Sequence, residues 1–143
     1  MEIISEKEFA KYRNNSLFCL PVHGHFNLKT GELYFSDESK KHFNKISPYL
    51  LKCVGESIRF HGLTVEVFDE FNAISFPTRS SHHHAHSIEY IEYSIWKLNA
   101  LSKTIMKMIV LPNLSHEVSP GKWKSIKLKF MKTFKSSQFL LVE

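Results

Sequence analysis

Apolar residues along the chain fall into two kinds of segment, short dense or alternating runs and longer stretches with helical spacing. The short runs predict strands, because a strand buried on one or both faces needs apolar side chains at alternate or successive positions. The predicted strands cover residues 1–4, 17–22, 63–68, 73–76, 107–111 and 139–142.

The longer stretches predict helices, since their apolar residues recur three and four positions apart. Ser5 and Glu8 match a capping box for the first helix, and Ser87 can cap a later one. The predicted helices cover residues 6–13, 38–47, 49–61, 88–101 and 121–135, with a turn around Thr30-Gly31. Strands and helices alternate at crossover spacing, which predicts a mostly parallel or mixed sheet with helices on both faces.

The length of the chain suits one hydrophobic core. With 143 residues and 43% hydrophobic content, we expect a single domain over residues 1–143. Cys19 and Cys53 are too few for a disulfide framework or a zinc site, and both are predicted to be buried thiols. The sequence has no run of about 18 apolar residues and no N-terminal signal pattern. We therefore expect a cytoplasmic protein with no membrane partner.

The positive charge is concentrated in one segment. The formal net charge is +5, and six lysines lie between residues 122 and 135 without an acidic residue among them. Removing those six from the 19 basic residues leaves 13 against 14 acidic residues, so the rest of the chain is nearly neutral. The lysines form either the solvated face of an amphipathic helix or a surface for nucleic acid or an acidic protein.

Residues 109–123 combine a short apolar run, a bridge of small and polar residues, and the start of a predicted helix. A bridge of this kind brings backbone N–H groups to a helix N-terminus, where α/β proteins hold anions. The stretch resembles the last loop of macro domains, the ADP-ribose-binding modules, in which a strand ending in Leu-Pro leads through a glycine-rich phosphate loop to a Trp. Leu111-Pro112 and Trp123 stand at the separation of that pattern.

Further matches are to the macro-like proteins of large tailed bacteriophages. His23-Gly24 stands where that family has Asn-Gly, and residues 29–32 match its Lys-x-Gly-Glu turn. Residues 36–39 occupy its first phosphate loop, and residues 74–79 are close to its Ile-Ser-Phe-Pro-Thr-Lys/Arg segment. The resemblance implies a three-layer α/β/α macro-domain-like sandwich with a mixed, mostly parallel sheet.

The two segments that correspond to the family's phosphate loops lack most of the glycines, which let backbone N–H groups approach an anion closely. Asp37, Glu38 and Glu117 add carboxylates that would oppose a pyrophosphate. His23 replaces the asparagine that helps to orient the distal ribose in active relatives. The resemblance implies a candidate ligand cleft, of degenerate form, made by His23, Gly24, Ser36, Asp37, Ser115, His116, Ser119 and Gly121.

Histidines and tryptophans give weaker signals. His82 and His86 can hold zinc or copper if they share a helix, but they precede the Ser87 cap without an acidic or cysteine partner nearby. We therefore assign no metal site, which leaves adventitious metal capture or a pH-sensitive surface. His23 and His116 are either an acid–base pair at the cleft or structural histidines, and no catalytic residue or cofactor is assigned. Trp96 and Trp123 are predicted to be core residues.

The predicted function is a degenerate macro-like binding module that has lost standard ADP-ribose recognition. The resemblance favours a phage accessory protein in the host cytoplasm that acts on a host protein or an altered nucleotide. The alternatives are a residual ADP-ribose or phosphoester hydrolase, and weak nonspecific nucleic-acid binding through the lysine helix. The candidate partner surface consists of Lys122, Lys124, Lys127, Lys129, Lys132 and Lys135.

Overall fold

The structure of the protein is a computed structural model that describes residues 1–24, 49–81 and 84–143. Several predicted features lie outside the described residues. They are the turn at residues 27–33, the helix at 38–47, the loop with Ser36 and Asp37, and the histidines His82 and His83.

The described residues form a six-stranded sheet with the order β1-β6-β5-β2-β4-β3. Four of the five pairings are parallel, and only β3 runs antiparallel to its neighbour β4. The predicted mixed, mostly parallel sheet is therefore confirmed. The strands are β1 (Glu2–Ile4), β2 (Ser16–Val22), β3 (Glu66–Phe68), β4 (Ala73–Pro77), β5 (Met108–Val110) and β6 (Phe139–Val142).

Four α-helices, numbered over the described residues, connect these strands. They are α1 (Glu6–Phe9), α2 (Leu50–His61), α3 (Ile88–Ser102) and α4 (Pro120–Thr133). The capping box of Ser5 and Glu8 is present at α1, and Gly62, with φ of 79°, ends α2. No helix within the described ranges is long and apolar enough to cross a membrane.

α1 and β3 have half of their predicted length. α1 ends at Phe9 because the N–H groups of Lys11 and Tyr12 bond to carbonyls three residues back, and a 3₁₀ helix follows at Arg13–Asn15. β3 begins at Glu66 rather than at residue 63. The Ser75 hydroxyl donates to the Thr64 carbonyl at 2.8 Å and accepts from the Glu66 N–H at 2.9 Å. The Ser75 side chain therefore takes the place of a backbone hydrogen-bond partner where the pairing of β3 with β4 begins.

Helices cover both faces of the sheet. On one face, Leu17, Phe76 and Ile109 pack with α3 and α4, whose Ile91 and Phe130 are fully buried. On the other face, one apolar cluster joins β2 to α2 and a smaller one joins β5 and β6 to Phe9 of α1. Successive strand residues point to opposite faces, so the strands are apolar at nearly every position. The result is the predicted three-layer α/β/α sandwich.

Two core predictions are wrong. Trp123 is buried as predicted, but Trp96 is 67% exposed. Ile95 of α3 points to the sheet, and the next residue is turned about 100° around the helix axis, towards solvent. Cys19 is buried as predicted, whereas Cys53 is only half-buried on α2.

Candidate functional site

The candidate site lies where the central strands β5, β2 and β4 end. These three strands are parallel neighbours, so their carboxyl ends meet at one edge of the sheet, where open α/β sheets bind ligands. His23 follows β2, residues 78–87 connect β4 to α3, and residues 111–119 connect β5 to α4. We call this region the carboxyl edge.

Backbone hydrogen bonds extend the pairing of β2 and β4 into the carboxyl edge. The Thr78 N–H donates to the Val22 carbonyl at 3.1 Å, and the Gly24 N–H donates to the Ser80 carbonyl at 3.0 Å. A Cβ at Gly24 would lie only 3.0 Å from that carbonyl oxygen, so this close approach favours glycine. His23, which directly follows β2 at this edge, is buried and only 2% exposed.

A hydroxyl, an imidazole and a carboxylate form a continuous chain across the carboxyl edge. Thr78 Oγ1 lies 2.7 Å from His86 Nδ1, and His86 Nε2 lies 3.4 Å from Glu117 Oε2. Thr78 and His86 are buried, whereas the Glu117 side chain is 29% exposed. We call this arrangement the Thr78–His86–Glu117 chain. It has a buried polar end and a charged end that reaches solvent.

Backbone contacts fix the position of His86. The Ser87 N–H donates to the Thr78 carbonyl at 2.7 Å, and the Lys122 ammonium of α4 donates to the His86 carbonyl. Ser87 is the N-cap residue of α3, as predicted, but its side chain makes no capping hydrogen bond. The connection between β4 and α3 is thus held to both β4 and the start of α4.

Glu117 carries a negative charge at neutral pH. Its hydrogen bond to His86 lowers the pKa of the carboxyl, burial opposes that shift, and the charges of His86 and Arg79 lower the pKa further. The net direction is downward from the ordinary value. A stable anion therefore lies in the connection between β5 and α4.

The backbone of this connection bonds to itself. The N–H groups of Glu117 and Val118 both donate to the Leu114 carbonyl, at 2.9 and 3.1 Å. The Ser115 N–H donates to the Asn113 side-chain oxygen at 2.9 Å. These N–H groups therefore make hydrogen bonds within the loop. In a phosphate loop, the N–H groups point to a bound anion instead.

The start of α4 is also capped from within the chain. Ser119 accepts a hydrogen bond from the Lys122 N–H at 3.3 Å, and Pro120 occupies the first helical turn. Among the described residues only Asn72 and Gly62 have positive φ, so the segment from 111 to 123 contains no left-handed residue. This backbone differs from a glycine-rich path in which several residues require that conformation.

The described residues of the predicted cleft lie at one edge of the sheet and differ in exposure, and their role in binding a ligand stays a prediction. Ser115 is half-buried, while His116, Ser119 and Gly121 are exposed. The acid–base pairing of His23 with His116 stays a prediction. Sequence reasoning did not assign Thr78, His86 and Glu117 to one site, because only the folded sheet brings their three segments together.

No metal centre is found in the parts of the chain that the structure describes. These residues contain no group of three or more His, Cys, Asp or Glu side chains that could hold a metal ion. Both ring nitrogens of His86 instead face Thr78 and Glu117.

Three of the six lysines of the α4 region have partners within the protein. Lys122 binds the His86 carbonyl, Lys127 pairs with Glu143 at 2.5 Å, and Lys129 pairs with Glu92 at 2.7 Å. The other three, Lys124, Lys132 and Lys135, are exposed. The apolar residues of this stretch, which recur at helical spacing, are buried in the core: Trp123, Ile126, Phe130 and Phe134.

Comparison with known proteins identifies the fold. No family model matches the sequence, and no curated protein matches it. The macrodomain of Thermus aquaticus DarG is similar with a TM-score of 0.73 at 15% identity, covering 99% of this chain and 95% of that one. The macrodomain of Mycobacterium tuberculosis DarG is similar with a TM-score of 0.74 at 10% identity, covering 99% and 97%. The chain therefore has the macro domain fold, and the resemblance to phage proteins stays a prediction.

The Thr78–His86–Glu117 chain should contribute measurably to stability. His86→Ala removes the partner of a buried hydroxyl, and an unsatisfied buried polar group costs about 1–3 kcal/mol. We expect a loss of that size in the free energy of unfolding from urea titration at neutral pH. His84→Ala changes an exposed histidine of the same connection and should have little effect. Equal losses in the two variants would show that His86 Nδ1 does not support Thr78.

Glu117 should make the stability depend on pH in a defined direction. Because folding lowers the pKa of its carboxyl, Glu117 stabilises the protein above the ordinary pKa of 4.5, and the effect is lost as the pH falls through the lowered value. Wild type should exceed Glu117→Gln in stability at neutral pH, and the difference should shrink in acid. Glu56→Gln, at an exposed position on α2, is the control. A difference that grows on acidification would contradict the assignment.

Proposed function

We propose that this protein is a macro-fold binding module that has lost standard ADP-ribose recognition. The observation that carries the proposal is the ionised Glu117 in the connection between β5 and α4, held there by His86. In the macro pattern this connection is the phosphate loop. A fixed carboxylate at this position disfavours the pyrophosphate of ADP-ribose and favours a neutral or cationic ligand group.

The size of the electrostatic effect supports the proposal. Two like charges about 4 Å apart repel by roughly 4 kcal/mol at an effective dielectric constant of about 20. Millimolar affinity corresponds to about −4 kcal/mol of binding free energy. The repulsion between one carboxylate and the phosphates is therefore as large as the whole binding free energy of a millimolar ligand.

The internal hydrogen bonds of the loop point the same way. To offer N–H groups to a phosphate, the loop must first release the bonds from Glu117 and Val118 to the Leu114 carbonyl. Each such bond contributes about 0.5–1.5 kcal/mol net, so the rearrangement adds to the electrostatic cost. No glycine lies between residues 111 and 120 to ease the change.

The ligand class follows from the same chemistry together with the sequence resemblance. We propose that the carboxyl edge binds a group on a host protein or an altered nucleotide that places no phosphate beside Glu117. An accessory role for a phage-encoded single domain in the host cytoplasm is part of this proposal and rests on the sequence resemblance alone.

Calorimetric titration with ADP-ribose tests the loss of recognition. We expect wild type to bind with a Kd weaker than about 1 mM, because the carboxylate and the self-bonded loop oppose the phosphates. Glu117→Gln keeps the size of the side chain, removes its charge, and should bind about tenfold more tightly or better. Glu56→Gln removes a charge outside the site and should bind like wild type. Micromolar binding by wild type would overturn the proposal.

A residual hydrolase is the second candidate, and the Thr78–His86–Glu117 chain is the observation that favours it. A carboxylate kept ionised beside an imidazole is a suitable general base for activating water. If this candidate is right, wild type should release ADP-ribose from an ADP-ribosylated substrate, and Glu117→Gln should lose that turnover by a factor of about 100 or more. Under the binding proposal, neither protein shows turnover.

A further inference from the structure

A groove of about 300 Å³ runs between α3 and α4 on the outer surface of one helical layer. Trp96 and Asn99 line its α3 side, and Lys129 and Lys132 line its α4 side. Ile95 is buried at the base. This place is separate from the carboxyl edge, because both helices run from that edge along the face of the sheet. The groove therefore needs its own explanation.

The exposure of Trp96 is the first unusual feature of this groove. Its side chain is 67% exposed, although indole rings are usually buried because of their large apolar surface. The other tryptophan, Trp123, is 9% exposed in the core. An exposed indole in a groove offers a flat aromatic surface on which another ring can stack.

Charge is the second feature, and it selects the class of partner. Lys132 is exposed. Helical spacing places Glu89 and Lys103 on the same side of α3 as Trp96, two turns before it and two turns after it, so their opposite charges balance. Glu92 is the acidic residue among those that line the groove, and its charge is matched by Lys129 at 2.7 Å. The groove therefore has a net positive charge and suits a polyanion.

We propose that the groove between α3 and α4 binds single-stranded nucleic acid, with a base stacked on Trp96 and the neighbouring phosphate at Lys132. Aromatic rings combined with lysines are the usual means of binding single strands without sequence preference. Protein interfaces, by contrast, are depleted in lysine. A duplex keeps its bases stacked on one another, so it cannot use Trp96 in this way.

The lysines on the far side of α4 are not part of this site. Lys124 is exposed, but helical spacing turns it away from α3, and Lys135 lies beyond the end of α4. Lys127, on that same side, pairs with Glu143. The sequence alone therefore overestimates the number of lysines that act together, and it misses the tryptophan supplied by the neighbouring helix.

Intrinsic fluorescence with a short oligothymidylate tests the proposal on the full chain. The chain has two tryptophans, and because Trp123 is buried, quenching on titration reports Trp96. We expect quenching, and tighter binding of the single strand than of a duplex of the same length. Trp96→Ala should weaken binding, measured by anisotropy of a labelled oligonucleotide, about fivefold or more, whereas Trp96→Phe should retain part of the affinity.

A matched pair of lysine variants separates the groove from general charge. Lys132→Ala and Lys124→Ala each remove one exposed lysine of α4, so the net charge of the two proteins is equal. Lys132→Ala should weaken binding and lower the salt dependence by about one phosphate contact, a log–log slope change near 0.7. Lys124→Ala should change both quantities much less.

Three results would overturn the proposal. The first is unchanged affinity in Trp96→Ala, and the second is equal weakening by Lys132→Ala and Lys124→Ala, since either would reduce the interaction to unspecific charge. The third is quenching of Trp96 by polyglutamate as strong as that by the oligonucleotide, which would indicate an acidic protein partner. None of these results depends on whether the carboxyl edge binds ADP-ribose.

Discussion

Burial of β2 on both faces is the constraint from which the layout of the carboxyl edge follows. Leu17 and Leu20 point to opposite faces and are each 1% exposed. β2 also pairs in parallel with β5 on one edge and with β4 on the other, so both of its edges are hydrogen-bonded. Because parallel strands end on the same side, the segments after β2, β4 and β5 must meet there. β2 itself contributes mainly packing, but its pairing determines which side chains meet at the carboxyl edge.

The Thr78–His86–Glu117 chain shows how polar groups are tolerated at the edge of that core. A buried hydroxyl and imidazole are costly unless each has a partner, and the chain gives His86 a partner at both nitrogens. Its outer end is a carboxylate, so satisfying the buried groups also places a negative charge in the last loop. Under the proposed function, the stability of the edge and its discrimination against anions therefore depend on the same three side chains.

Local signals predicted most of the fold, and contacts between distant segments account for what the sequence did not reveal. The capping box of Ser5 and Glu8 and the apolar spacing of α4 depend on neighbours within four residues, and both are confirmed. The prediction for Trp96 is wrong because this residue is next to Ile95, at the boundary of the apolar face of the helix. Periodicity alone does not show on which side of that boundary a residue lies. His86 and Glu117 are 31 positions apart in the sequence. Their pairing needs the parallel order of β4, β2 and β5, which no local pattern contains.

The lysines of α4 differ in how readily they can change partners, and this affects where the protein can bind anions. Lys122 holds the His86 carbonyl, so its charge is used in positioning the carboxyl edge. Lys129 is paired at the surface with Glu92, and such exposed pairs contribute only about 0–1 kcal/mol. It can therefore exchange that carboxylate for a phosphate at little cost. Under the two proposals, anion binding is thus opposed at the N-terminus of α4, where Glu117 lies, and favoured along its flank beside α3.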